Sequence, residues 1–310
     1  MKKILFKHLA LFFTALSFLS RLPSGKVLSF LLAHCKEELL DSSQASPFAT
    51  PLSRPCGTVV ENNLTDQAKA QADQVEAQAK QAEAQAQQTQ INLGKSVGYF
   101  PLIGIFLGSL AVLPLWLGLG GSNFWLQSWL YVLFMAWLSR GLHWDGLADL
   151  ADACASFSQG EKFWKIIKDS NLGALGALVL FFVLAGYIIV VQALIANGQW
   201  LSLIWAAAAG RLACLALAGL TLPYNRASLA KIFEYAKPLP WAIFWGLALF
   251  AFGGFFISWQ ACCLAFVLGG GVVFYLLRLA KKQGGYNGDF LGAAIVLGEL
   301  IVLLAFLLTS

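Results

Sequence analysis

The chain has 310 residues, 58% of them hydrophobic and 12% charged, with a net charge of +5 at pH 7. A soluble domain carries about twice that charged fraction, so the composition excludes a soluble globular protein and points to a polytopic membrane protein. No Lys/Arg-rich run suggests nucleic-acid binding, and the six cysteines form no CxxC pair that would suggest zinc or thiol redox chemistry.

The first stretch, "MKKILFKHLALFFTALSFLSRLP", has Lys2 and Lys3 before an apolar run, as a signal peptide does. It lacks an A-x-A cleavage site, and His34 in "LLAHC" sits where a lipoprotein signal needs a small residue. Residues 1–35 are therefore read as a retained membrane segment, either a re-entrant or interfacial hairpin or one tilted span. Residues 36–92 differ from the rest. They combine a Pro- and Ser-containing loop with "DQAKAQADQVEAQAKQAEAQAQQTQ", which has helix propensity but almost nothing large and apolar to bury. This is a polar insert, helical or disordered, with no catalytic role expected.

Residues 93–310 form the membrane domain. Apolar runs occupy about 97–119, 124–142, 174–196, 199–220, 239–257 and 260–280, and a seventh runs from Leu291 to the end. Each is long enough to cross about 30 Å of hydrocarbon as a helix, the default structure where the backbone must satisfy itself. The expected fold is an all-α bundle of about seven transmembrane helices plus the N-terminal re-entrant or interfacial segment. The connections alternate in character. "GGSN", "NGQ" and the stretch around Ser258 carry no Lys or Arg, whereas the others hold Arg140, Lys162, Lys165 and Lys168, then Arg226, Lys231 and Lys237, then Arg278, Lys281 and Lys282. The positive-inside rule places the second set, and any site built from it, in the cytoplasm.

The stretch "GLHWDGLADLADACASF" begins at Gly141, where an apolar run ends. In a helix Asp145, Asp149 and Asp152 lie at i, i+4 and i+7 on one face. A solvated helix cap is the plain reading, but three like charges repel one another. A hard divalent cation such as Mg²⁺, shared between carboxylates and substrate phosphates, removes that conflict. Gly146 would admit a bulky group to the backbone, and His143 is read as a hydrogen-bonding or interfacial residue. In "KDSNLGALGA", Lys168 suits a phosphate, Asp169 suits a metal or that lysine, and Ser170 suits a cap for the next helix. Arg211 and Glu299 are charges inside apolar runs, where charge is functional or paired. Asp289 opens the last span, and Tyr224 and Arg226 lie on the same inferred face as the aspartates. These groups suggest metal-dependent transfer on a phosphoanhydride substrate at the membrane.

At these residues the sequence resembles the cobalamin synthase (adenosylcobinamide-GDP ribazoletransferase) family. The matching pieces, in family order, are "FLSRLP", "YFPLIGIFLG", "GLHWDGLADLADA", "IIKDSNLGALG", "AGRLA" with "PYNR", and "GGYNGDFLGAAIVLGEL". The resemblance implies a multi-pass enzyme of the bacterial inner (cytoplasmic) membrane. An alcohol of α-ribazole, or of its 5′-phosphate, attacks the cobinamide-linked phosphate of adenosylcobinamide-GDP, and GMP leaves, with Mg²⁺ required. It further implies metal and diphosphate roles for Asp145, Asp149, Asp152, Asp169, Asp289 and Glu299. Asp152, Asp149 and Lys168 are carried over as catalytic, with Asp152 the candidate general base. Arg211, Tyr224, Arg226 and Gly146 are read as substrate- and cofactor-binding. The expected partners are the two substrates, membrane lipid and other enzymes of the same pathway. The insert at 36–92, Val296, Asn171 and Ala153 depart from the family pattern.

Two rival classes stay in view. A CDP-alcohol phosphotransferase would show DGxxAR, but Asp149 follows Ala148 here. A transporter would place its polar groups near the midplane in two corresponding repeats, and the sequence has no such repeat.

Overall fold

A computed structural model of the chain describes residues 94–169, 171–224 and 231–310, together with 8–12, 14 and the isolated positions 80, 81, 84 and 91. Most of 1–35 and of 36–92 lies outside the described residues, as do Ser170 and Arg226, and so do the expectations attached to them.

Every regular element among the described residues is helical. A short 3-10 turn, Val97–Tyr99, leads into α1 (Phe100–Trp116). There follow α2 (Phe124–Leu138), α3 (Leu142–Ala155), α4 (Glu161–Ile167), α5 (Ala174–Ala196), α6 (Trp200–Leu220), α7 (Lys231–Ala236), α8 (Pro238–Gly253), a π turn at Gly254–Ser258, α9 (Trp259–Lys282) and α10 (Gly288–Leu308). Five stretches among the described residues are long and apolar enough to cross a membrane: Gly94–Trp116, α5, α6, Pro238–Lys282 and α10. The fourth has 45 residues but reverses direction. Ser258 is extended (φ −164°, ψ 125°), and Phe250 meets Phe266 with ring centroids 5.3 Å apart, so α8 and α9 are antiparallel arms. With the shorter apolar helix α2, these make the bundle of seven apolar helices the hydropathy pattern predicts. One boundary differs. The run 124–142 ends as a helix at Leu138, because Arg140 and Gly141 are both left-handed (φ 61° and 71°) and the Gly141 N–H closes onto the Ala136 carbonyl at 2.8 Å.

α6 and α10 form the centre. α6 reads "WAAAAGRLACLALAG", and its four consecutive alanines, Ala206 to Ala209, are all buried. Small residues let membrane helices approach closely, which is where packing energy comes from when lipid competes for every apolar contact. At Gly210 a Cβ would lie 2.6 Å from the Ile295 carbonyl of α10. The outer helices present their bulk outward: Phe181 and Phe182 on α5, Phe244 and Leu247 on α8 and Val267 on α9 are exposed, as a surface facing hydrocarbon requires.

The two ends are chemically unlike. The uncharged connections meet at one end, where Trp116, Gly198, Trp200, Phe256 and Ser258 line a common cavity. The charged connections gather at the other. There Pro223 and Tyr286 form a parallel bridge, and the Tyr224 N–H donates to the Tyr286 carbonyl at 2.9 Å. Trp164 stacks on Tyr224 with centroids 4.0 Å apart, and its Nε1 donates to the Gln283 carbonyl at 2.9 Å. Gln283 also accepts from Gly160 N and donates to the Ser158 carbonyl, so one buried amide ties the connection after α3 to the one before α10.

Candidate active site

α3, with 14 residues and three aspartates, is too short and too polar to cross a membrane, and its sequence explains its seat. Gly146, Leu147, Ala148, Leu150 and Ala153 face the bundle and are buried. Asp145 is exposed in the first turn, and Asp149 and Asp152 are half-buried along the opposite edge. The close approach at Gly146 decides the geometry. A Cβ there would sit 2.8 Å from Cα of Asp289 and 3.0 Å from its carbonyl oxygen, so the space beside Gly146 is filled by the α10 backbone. One turn away, a Cβ on Gly292 would come within 3.1 Å of Cα of His143. The pairs 146–289 and 143–292 mean that α3 and α10 pack antiparallel with almost no gap. That contact carries Asp289, remote in sequence, to the side of Asp145 and Asp149. Asn287 caps α10 by accepting from the Phe290 N–H at 3.3 Å, and its amide donates to Oδ2 of Asp289 at 2.6 Å.

The resulting electrostatics are one-sided. Burial, and then the charges of Asp145, Asp289 and Asp152, push Asp149 up to about 6. No Lys or Arg among the described residues pairs with these acids; the ion pair present lies elsewhere, between Arg211 and Glu299. Among the described residues the cluster therefore holds negative charge without a protein counter-charge, on hard oxygen donors. Among the described residues no three such side chains already converge as a closed metal cage. One or two carboxylates, with water and phosphate oxygens completing an octahedron, is the way Mg²⁺ is ordinarily bound, and the donor set fits that arrangement.

The remaining expected site residues are distributed differently. Asp152 turns to α5: its Oδ2 accepts from the Gly173 N–H and its Oδ1 from the Gly176 N–H, both at 2.7 Å. The N-cap of α5 is Gly173, and the carboxylate that caps the helix comes from α3. Lys168 is exposed at the end of α4, and Asp169 accepts from the backbone and side-chain amides of Asn171 at 3.1 and 2.7 Å. Tyr224, 37% exposed, stacks on Trp164 as described.

Arg211 and Glu299 are held apart from the aspartates. Glu299 lies ten residues beyond Asp289 on α10, roughly 15 Å deeper at a helical rise of 1.5 Å per residue. Arg211 Nη1 donates to Glu299 Oε1 at 2.7 Å and to the Ala207 carbonyl at 2.6 Å, while Tyr187 donates its hydroxyl proton to Glu299 Oε2 at 2.6 Å. Arg211 is 1% and Glu299 5% exposed. Both Glu299 oxygens thus have a protein partner, as a charge inside an apolar run requires.

Tyr187 and Gln283 were not singled out from sequence. Both had a signal: Tyr187 is a hydroxyl in the otherwise nearly all-aliphatic run of α5, and Gln283 is an uncharged amide directly after Lys281 and Lys282.

The family model described as cobalamin-5-phosphate synthase matches residues 80–307. A protein named adenosylcobinamide-GDP ribazoletransferase from Nitratidesulfovibrio vulgaris strain Miyazaki F is 36% identical over 220 residues, covering 71% of this chain and 88% of its own. One of the same name from strain DP4 is 40% identical over 222 residues, covering 70% and 89%. No solved structure matches significantly. The matched span contains the aspartate-bearing α3, the capped α5, the paired α6 and α10 and the loops that join them, and on that basis the chain belongs to the cobalamin-5-phosphate synthase family.

Proposed function

We infer that this chain is an adenosylcobinamide-GDP ribazoletransferase, the activity for which its relatives are named. An alcohol oxygen of α-ribazole, or of its 5′-phosphate, gives up its proton to water and forms a bond to the cobinamide-linked phosphorus. The bond from that phosphorus to the bridging oxygen of GMP breaks, and GMP leaves with the bridging oxygen. The observation that carries this reading is the gathering of Asp145, Asp149 and Asp289 at the polar end without a protein cation among the described residues.

Asp149, with Asp145 or Asp289, would hold Mg²⁺, water and phosphate oxygens supplying the other ligands. When bound, the ion neutralises charge on the diphosphate as it builds on the departing GMP. Lys168, exposed next to the site's α5 edge, supplies a point charge for a phosphate oxygen. Tyr224, stacked on Trp164 at this end, offers substrate an aromatic edge, and Arg226 belongs to the same connection in sequence. Gly146 contributes by letting Asp289 approach, not by opening space for substrate. The excess of Lys and Arg at this end supports a site facing the cytoplasm from the bacterial inner membrane. The rival classes are not favoured: the matching family model and the relatives are named for the cobalamin-synthase step, and Arg211 and Glu299 pair with each other.

The test is Mg²⁺-dependent release of GMP from adenosylcobinamide-GDP and α-ribazole by the detergent-solubilised full chain. Turnover by the wild type, and its loss on the order of a thousandfold in Asp149→Asn with membrane insertion intact, is the expected result. Absence of GMP release by well-folded wild type, or full activity in Asp149→Asn, removes the reading.

A further inference from the structure

We propose that Asp152 is a positioning residue that locks the start of α5 to α3, and thereby holds Lys168, Asp169 and Asn171, which precede α5, in register with the aspartate-bearing helix. The proposal rests on the transferase reading above. It departs from the metal role that the aspartate spacing suggests and from the candidate-base role given to Asp152 above.

Three observations lead there. First, both carboxylate oxygens of Asp152 are engaged, each accepting one N–H from the first turn of α5 at 2.7 Å. Those N–H groups, at the N-cap and third positions, are among the donors a helix start leaves without a partner. An ionised carboxylate serves two of them at once, and such charge-assisted bonds are about twice as strong as neutral ones. An oxygen so engaged is a poor acceptor for a substrate proton. Second, the fit leaves no room for a side chain. A Cβ on Gly173 would come within 2.6 Å of Cγ of Asp152, and one on Gly176 would lie 2.7 Å from the Ala148 carbonyl. Third, the segment before Gly173 is secured at its other end by α4, whose Phe163, Trp164 and Ile167 are buried and whose Trp164 bonds Gln283. Between the two anchors stand the exposed Lys168, Asp169 and Asn171. Asp152 is the anchor on the side of the acids, two helical intervals from Asp145 on the same helix. Moving it shifts Lys168 relative to Asp145, Asp149 and Asp289, which weakens substrate binding more than it alters the chemical step.

Two substitutions separate this role from the others. Asp152→Asn leaves one acceptor and turns an N–H donor toward a backbone N–H donor. Gly173→Ala keeps the carboxylate but pushes it off its seat, at a residue whose φ of −80° an alanine adopts freely. Steady-state GMP release by the solubilised full chain is measured against adenosylcobinamide-GDP and against Mg²⁺, with thermal unfolding alongside. Both variants should raise KM for adenosylcobinamide-GDP by about tenfold or more, keep kcat within about threefold, and leave the half-saturating Mg²⁺ concentration unchanged. A collapse of kcat in Asp152→Asn with a silent Gly173→Ala would make Asp152 a base or ligand and overturn the proposal. Unchanged KM in both variants, with or without a lower unfolding temperature, would reduce Asp152 to a purely structural cap and overturn it equally. Should Asp152→Asn fail to fold, Gly173→Ala decides alone by the same KM criterion. Failure of the wild type to release GMP is a separate outcome that removes the transferase reading instead.

Discussion

The polar-end acids and the buried pair beneath them use the same residue types to opposite ends. Asp145, Asp149 and Asp289 repel one another and find no cationic side chain among the described residues. Glu299 is satisfied on both oxygens, by Arg211 and by Tyr187. The difference follows from depth. At the end of the bundle water and ions can reach a carboxylate, so negative charge can be left for a ligand to neutralise. Roughly 15 Å further in, at ten residues along α10, neither is available, and a charge persists only with its counter-charge built in. An incomplete charge balance marks the place for a substrate and its ion; a complete one marks a joint between α5, α6 and α10.

The comparison can be broken most severely at the buried pair. Arg211→Met or Glu299→Leu alone leaves one charge stranded and should cost about 3–5 kcal/mol, seen as loss of folded protein in detergent. The double substitution removes both charges and should restore folding to near wild type, together with GMP release. If the double variant folds but is inactive, the pair belongs to the reaction and the contrast between the two regions fails.

A smaller effect is expected where the two regions share α10. Gly146→Ala places a methyl 2.8 Å from backbone that cannot give way, so α3 and α10 must part. Overpacking of this kind costs about 1–3 kcal/mol, read as a lower unfolding temperature, with a further drop in Mg²⁺ sensitivity because Asp289 moves off Asp145 and Asp149. Unchanged stability and activity would show that the crossing is looser than its geometry.

The smallest effect is linked to pH and touches the polar-end acids alone. Asp149 rises from 3.8 to about 6 in the folded protein. The folded chain therefore binds that proton more tightly than the unfolded chain does. The destabilising contribution is fully present above about 6 and is lost as pH falls toward 3.8. Metal-free protein should gain thermal stability as pH is lowered from about 7.5 to 5, Asp149→Asn should lose that gain, and saturating Mg²⁺ should diminish it. A gain that Asp149→Asn retains would assign it to other groups.

Much of this was legible in the residues before any coordinates. Runs of apolar residues longer than a bilayer dictate helices because the backbone has no other partner in hydrocarbon. Lys and Arg counts separate the two ends, and the spacing of Asp145, Asp149 and Asp152 fixes them to one helix. Those are properties of short range, set by hydrogen bonding and solvation of the local chain. What spacing could not supply was the partner of each acid, because three carboxylates seven residues apart look alike until other helices are packed against them. Only the crossing of α3 and α10 at Gly146 brings Asp289 to Asp145 and Asp149, only the start of α5 takes Asp152 for itself, and only the burial of α6 against α10 gives Glu299 to Arg211. Each of those assignments depends on contacts between segments distant in sequence, where steric fit and the cost of an unpaired charge, and not local periodicity, choose the neighbour.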